Sequence, residues 1–354
     1  MAETAVRGSL SRPFPAALLR LAPLPLLFVL VLVVSTLFGS ASIPKTEVVH
    51  ILFARLGLYR GPMDWPTVDS TIIWDIRVPE VLAAALVGGA LGVAGALFQA
   101  VLRNPLADPY VIGTSAGAQL GVTLALVLPW QIAAGGFGSM QVFAFAGAVG
   151  TILIVYALAR TGGRTPVVTL LLAGFVISSF LISATSLLMQ MSGKLDEVTR
   201  WTLGGIALDS PNQLAAVAPI VIAGICLSFV LAPRLDVILL GEEPALHLGL
   251  RVEALKLGSV VLASLLTALA VTLAGVIAFV GLVVPHTIRL LYGPSHRTLI
   301  PAAAVGGAIF LMLADLIARV AIPPTPLPLG VVTAVIGAPF FLHLLRRARH
   351  DYAL

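Results

Sequence analysis

Residues Gly113-Thr114-Ser115-Ala116-Gly117 have the G-x-S-x-G spacing that presents a nucleophilic serine on a strand-to-helix turn. A serine hydrolase also needs a histidine base and an acid in reach of that serine. His343 and Asp315 are the right types, but nothing in the sequence brings them together, and the motif opens an apolar run. Asp315 and Arg319 are four apart, so on a helix they share one face and can pair. Such a pair among apolar residues either fixes helix packing or meets a charged ligand. His286 follows Pro285 in an apolar stretch, where it reads as a metal or haem ligand or as a hydrogen-bonded structural histidine. Cys226 is the single cysteine, which excludes a disulfide framework and a cysteine-rich metal site. The pattern G-x-x-x-x-G-K-[ST] does not occur, so any ATP driving this chain is bound through a P-loop on another subunit.

The elements that carry these residues are apolar. Of 354 residues, 59% are hydrophobic and 10% charged, far below the roughly 25% charge of soluble domains. Lipid must therefore solvate most of the exterior. The 33 glycines and 24 prolines fit membrane helices, which tolerate both. The formal charge of +5 is scattered between apolar runs, without the basic stripe of a nucleic-acid binder. Stretches long enough to cross a bilayer lie near 21–39, 79–98, 111–129, 139–159, 167–190, 213–232, 257–274, 276–291, 299–318 and 328–345. The segment Leu257–Pro285 has no charge and is too long for one span, so Gly275 and Gly281 are candidate turns. The first run follows Arg7, Arg12 and Arg20 and reads as a retained helix rather than a signal peptide. With residues 1–20 as a cytoplasmic tail, 14 basic residues fall inside and 7 outside, which places both termini in the cytoplasm. The expectation is one all-α polytopic membrane domain of about ten helices over 1–354.

Three extramembrane segments stand out: 40–76 and 191–212 outside, and 233–256 inside. Gly88 and Gly92 share one helix face, and Gly113, Gly117 and Gly121 another, which lets helix backbones approach closely. The inner segment Leu240-Gly241-Glu242-Glu243-Pro244-Ala245-Leu246-His247-Leu248-Gly249 reads as short glycine-bounded helices, either a solvated connector or a helix for a partner's groove.

Several ordered blocks resemble the signature of FecCD-type permeases, the membrane subunits of type II ABC importers for siderophores, haem and cobalamin. They are Arg77-Val78-Pro79-Glu80-Val81-Leu82, Gly92-Val93-Ala94-Gly95-Ala96-Leu97-Phe98-Gln99, Arg103-Asn104-Pro105-Leu106-Ala107-Asp108-Pro109 and Gly113–Gly117. Phe279-Val280-Gly281-Leu282-Val283-Val284-Pro285-His286, Leu329–Ala334 and Gly337–Phe340 also match. So does Leu240-Gly241-Glu242 with Ala245, Leu248 and Gly249.

The resemblance implies a type II ABC importer permease fold in a bacterial inner membrane. Its partners would be a second permease, two cytoplasmic ATPase subunits holding ATP and magnesium, and an extracytoplasmic substrate-binding protein. No cofactor or metal is implied for this chain. Leu240, Gly241, Glu242, Ala245, Leu248 and Gly249 are similar to the family's ATPase-coupling helices. Thr165, Pro166 and Thr169 align with its inner gate. Arg77 and Arg319 match positions that meet acids on the binding protein, although Glu80 stands where the family's second arginine is usual. Siderophore, haem and cobalamin permeases share these blocks, so the cargo stays open. An ion-coupled secondary transporter is the main rival class, and it usually needs more buried carboxylates than this chain offers.

Overall fold

The computed structural model describes residues 21–352 apart from Arg60, 133–136, 161–164, Ala207, Asp209 and Pro324, and only the backbone of Pro211 and 343–352. The expected tail 1–20 therefore lies outside the described residues. The fold is all-helical. In chain order it comprises α1 (Pro23–Leu37), α2 (Lys45–Arg55), α3 (Thr67–Thr71), a π-helical turn (Ile72–Arg77) and α4 (Val78–Val101). A 3-10 turn (Pro109–Ile112) leads to α5 (Thr114–Val127), α6 (Ser139–Ala159), α7 (Val167–Ser192), α8 (Leu195–Thr202) and α9 (Pro211–Ile238). The chain ends with α10 (Glu242–His247), α11 (Val252–Ala274), α12 (Val280–Tyr292), α13 (His296–Val320) and α14 (Leu329–Tyr352).

Each of the ten apolar stretches is a helix, but length separates them. Six are long and apolar enough to cross a membrane: the continuous helix Thr67–Val101, α6, α7, α9, α11 and α13. The helices α1, α5, α12 and the Leu329–Leu342 part of α14 are shorter. The expected count of about ten spans thus does not follow from helix length alone. Between the long helices lie short ones: α8 and α10 fall in the segments 191–212 and 233–256, where short helices were expected, while α2 and α3 are additions in the segment 40–76, which read as a loop.

Helix is the form such residues must take, because an apolar solvent offers the backbone no partners. Proline opens α1, where a missing N–H costs nothing; Pro79 instead lies inside the continuous helix Thr67–Val101, just after its π-helical turn. The charge-free stretch breaks at Gly275, whose φ of +65° closes α11, and an added Cβ there would overlap the Trp201 carbonyl. Gly281, the other candidate turn, instead lies in the first turn of α12. Residues 276–278 between them are non-helical and Ile277 is buried, so its N–H needs an acceptor; the Tyr110 hydroxyl supplies one at 3.2 Å.

Packing is built around α4. A Cβ on Gly88 would overlap the Gly307 carbonyl of α13, and one on Gly92 the Ala303 carbonyl. Gly95 meets Gly281 of α12 in the same way, and Gly117 meets Gly147 of α6. Gly113 does something else: its φ of +89° turns the chain into α5. In the most apolar windows, 83% of Thr67–Val101 and 78% of α11 is buried, against 11% of α7. The bundle therefore has a fixed centre and an exposed flank.

Candidate functional site

Polar chemistry gathers at the two ends of α4, a helix of 24 residues and so about 36 Å long. At its C-terminal end, α10 is framed by two left-handed glycines, Gly241 (φ +122°) and Gly249 (φ +79°). Ala245 is fully buried and seats the helix, while Leu240, Leu246 and Leu248 are each more than half exposed. Glu242 opens α10 and pairs within the chain: Oε1 lies 2.6 Å from the Lys256 ammonium and 3.7 Å from Arg103. Lys256 is buried on α11 and also pairs with Glu253 at 3.4 Å. The other Glu253 oxygen accepts the Thr165 N–H at 3.3 Å, and the Thr165 hydroxyl meets the Tyr156 hydroxyl at 3.2 Å. Pro166, exposed, caps α7, and Thr169 is half-buried in its first turn. A small cavity lined by Leu102, Tyr156, Thr165, Leu170, Lys256 and Val260 lies where the ends of α4, α6, α7 and α11 converge.

The segment joining α4 to α5 is clamped beside this end. Gln99 is buried, donates towards the Gly281 and Leu282 carbonyls at 3.3 Å, and accepts from Arg289 at 2.9 Å. Asp108 caps the 3-10 turn by accepting the Tyr110 N–H at 2.8 Å; burial pushes its carboxyl up to about 6 against that bond. Asp236 at the end of α9 accepts from the Ser295 hydroxyl at 2.9 Å and from the His296 N–H, so α9 caps α13.

At the other end of α4, Arg77 and Arg319 are both buried, at 4% and 8% exposure. Both guanidinium groups, implied by the resemblance to meet the binding protein, have partners within this chain. Arg77 donates to the Thr36 and Ala41 carbonyls at 3.3 Å. Arg319 pairs with Asp315 at 2.8 Å and donates to the Ser35 and Phe38 carbonyls at 3.1 and 3.2 Å. The last carbonyls of a helix have no partner within it, and the two arginines supply partners at the end of α1. Sequence reasoning foresaw the Asp315–Arg319 pair but not these carbonyls, which lie 281 and 284 residues away.

The hydrolase constellation is not assembled. Ser115 sits in the first turn of α5, Asp315 is taken by Arg319, and the His343 side chain lies outside the described residues. His286 is partly buried with Nδ1 unpartnered, and among the described residues no three His, Cys, Asp or Glu side chains cluster as metal ligands. Glu253 and Lys256 were missed as site residues. Their signal was two charges three apart at the mouth of a long apolar run.

A chain of apolar helices, six of them long enough to cross a membrane, with organised charge at both ends of its central helix, has the make-up of a multi-pass membrane protein. Comparison with known proteins agrees. The FecCD transport family matches residues 26–347. The cobalamin import system permease of Halobacterium salinarum is 40% identical over 81% of this chain and 77% of its own length. The hemin transport system permease of Yersinia pestis is 36% identical over 92% and 96%. A solved metal-chelate type ABC transporter in an inward-facing conformation superposes with a TM-score of 0.78, at 28% identity over 92% of this chain and 98% of that one. The chain belongs to the FecCD transport family, the membrane permeases of ABC transporters.

Proposed function

We propose that this chain forms half of the translocation pathway of an ABC importer for an iron chelate, haem or cobalamin, and that α10 is the helix that docks on the ATPase. The reading places ten spans in the bacterial inner membrane with both termini cytoplasmic, a second permease alongside and two ATPase subunits below. An extracytoplasmic binding protein delivers the cargo. ATP and magnesium belong to the ATPase, and this chain performs no covalent chemistry. Thr165, Pro166 and Thr169 lie at the inner mouth of the pathway.

The surface of α10 carries this reading. A short helix in water does not hold itself together below ~12–15 residues, and α10 has six. It is seated by Ala245 and leaves Leu240, Leu246 and Leu248 in the open on a segment otherwise rich in charge. Apolar side chains on a supported helix are the anchors a partner groove takes. The named cargoes of similar permeases, cobalamin and hemin, support this cargo class.

The test is co-purification of the permease with its ATPase subunits. Leu240→Asp with Leu248→Asp removes two exposed anchors without touching buried residues. The expected result is a folded, membrane-inserted chain that loses its ATPase subunits. Retention of those subunits at the parent stoichiometry means that α10 is only a connector.

A further inference from the structure

We propose that Lys256 and Glu253 are positioning residues that carry movement of α10 to the start of α7; this rests on α10 being the ATPase-docking helix. The sequence offers the coupling segment and the gate segment as separate features, and the structure joins them through two side chains on α11.

Lys256 is only 7% exposed. A buried ammonium must be paired, and Glu253 on the same helix, three residues back, already provides a carboxylate. The second and shorter contact goes to Glu242, which belongs to α10. Glu253 in turn reaches across 88 residues of sequence to the Thr165 N–H. The order of contact is therefore α10, Lys256, Glu253, Thr165, and the next residue, Pro166, caps α7. Among the described residues Arg103 also faces Glu242, at a longer 3.7 Å and with both side chains well exposed.

The burial pattern gives the chain of contacts a direction. The most apolar window of α11 is 78% buried, so α11 is held by the core and serves as a fulcrum. That of α7 is 11% buried, which makes α7 the long helix with least holding it to this chain. The cavity lined by Lys256, Thr165 and Leu170 sits beneath the joint. Packed elements move by discrete shear, and a contact that spans two of them passes on whichever arrangement is favoured. A lysine held between acids on two elements is such a contact.

The experiment uses the permease reconstituted with its ATPase subunits in proteoliposomes. Cys226→Ser removes the native thiol and Val168→Cys, exposed at the start of α7, takes a spin label. Accessibility of the label to a water-soluble relaxation agent is compared with and without vanadate-trapped ATP. The parent should change on trapping. Lys256→Met should keep its ATPase subunits yet lose that change, and Lys256→Arg should restore it. Glu253→Gln keeps an oxygen for Thr165 but removes the charge; it should lose most of the change, and it decides the matter if Lys256→Met fails to fold. A change in Lys256→Met or Glu253→Gln equal to that of the parent overturns the proposal. A parent that binds ATPase but shows no change at Val168 also overturns it, while α10 docking stands. A parent that binds no ATPase overturns both.

Discussion

Arg319 tests how much one side chain holds at the end of α4. It neutralises Asp315 within a buried pair and occupies two carbonyls of α1. Removing one member of a buried ion pair costs about 3–5 kcal/mol, because the other charge stays buried and alone. Arg319→Ala should therefore lower thermal stability in detergent sharply, whereas Asp315→Asn with Arg319→Gln should recover part of the loss by removing both charges. If Arg319→Ala melts like wild type and only binding-protein association changes, the guanidinium is a docking group after all. The pair itself was legible from the spacing of the two residues. The carbonyl acceptors were not, since no local pattern links positions nearly 300 residues apart.

At the scale of elements, helix approach is set where backbones touch. A methyl at Gly95 would overlap the Gly281 carbonyl, and backbone cannot move aside as a side chain can. A methyl at Gly258, on the exposed face of α11, meets nothing within 4 Å. Gly95→Ala should then cost about 1–3 kcal/mol by overpacking. Gly258→Ala should be neutral or stabilise by up to about 1 kcal/mol through helix propensity. Melting curves of the two variants check this, and equal melting temperatures would refute the packing account. The small-residue spacing identified Gly88 and Gly92 as packing positions but could not name the partner helix. It also grouped Gly113 with Gly117, although Gly113 is needed for its left-handed turn. Spacing reports which residues share a face; it does not report what lies against that face.

Across the whole molecule, the helix positions were readable because lipid forces apolar residues into helices, and Gly275 breaks the one overlong run. Less readable was which helices are central, because every long helix here is similarly apolar. Burial separates α4 and α11 from α7 only after the fold brings chain-distant segments together. Orientation rests on the distribution of basic residues, 14 to 7. A reporter active only in the cytoplasm, joined after Leu354, should be active, and one joined within 128–132 should be silent. The reverse pattern would invert the whole arrangement, α10 included.

The clamp on α1 also sets an order of events during biosynthesis. The first helix enters the membrane with the carbonyls of Ser35 and Phe38 unmet, and the arginine that takes them is made more than 280 residues later. At about 5–20 residues per second, that interval is roughly 15–60 s. Throughout it the newborn helix has its apolar packing against Val81 and Ala84 and the Arg77 bond to Thr36, but not the rest of its clamp. A polypeptide released before α13 would present that loose end to membrane proteases, so the last-made third of the chain certifies the first.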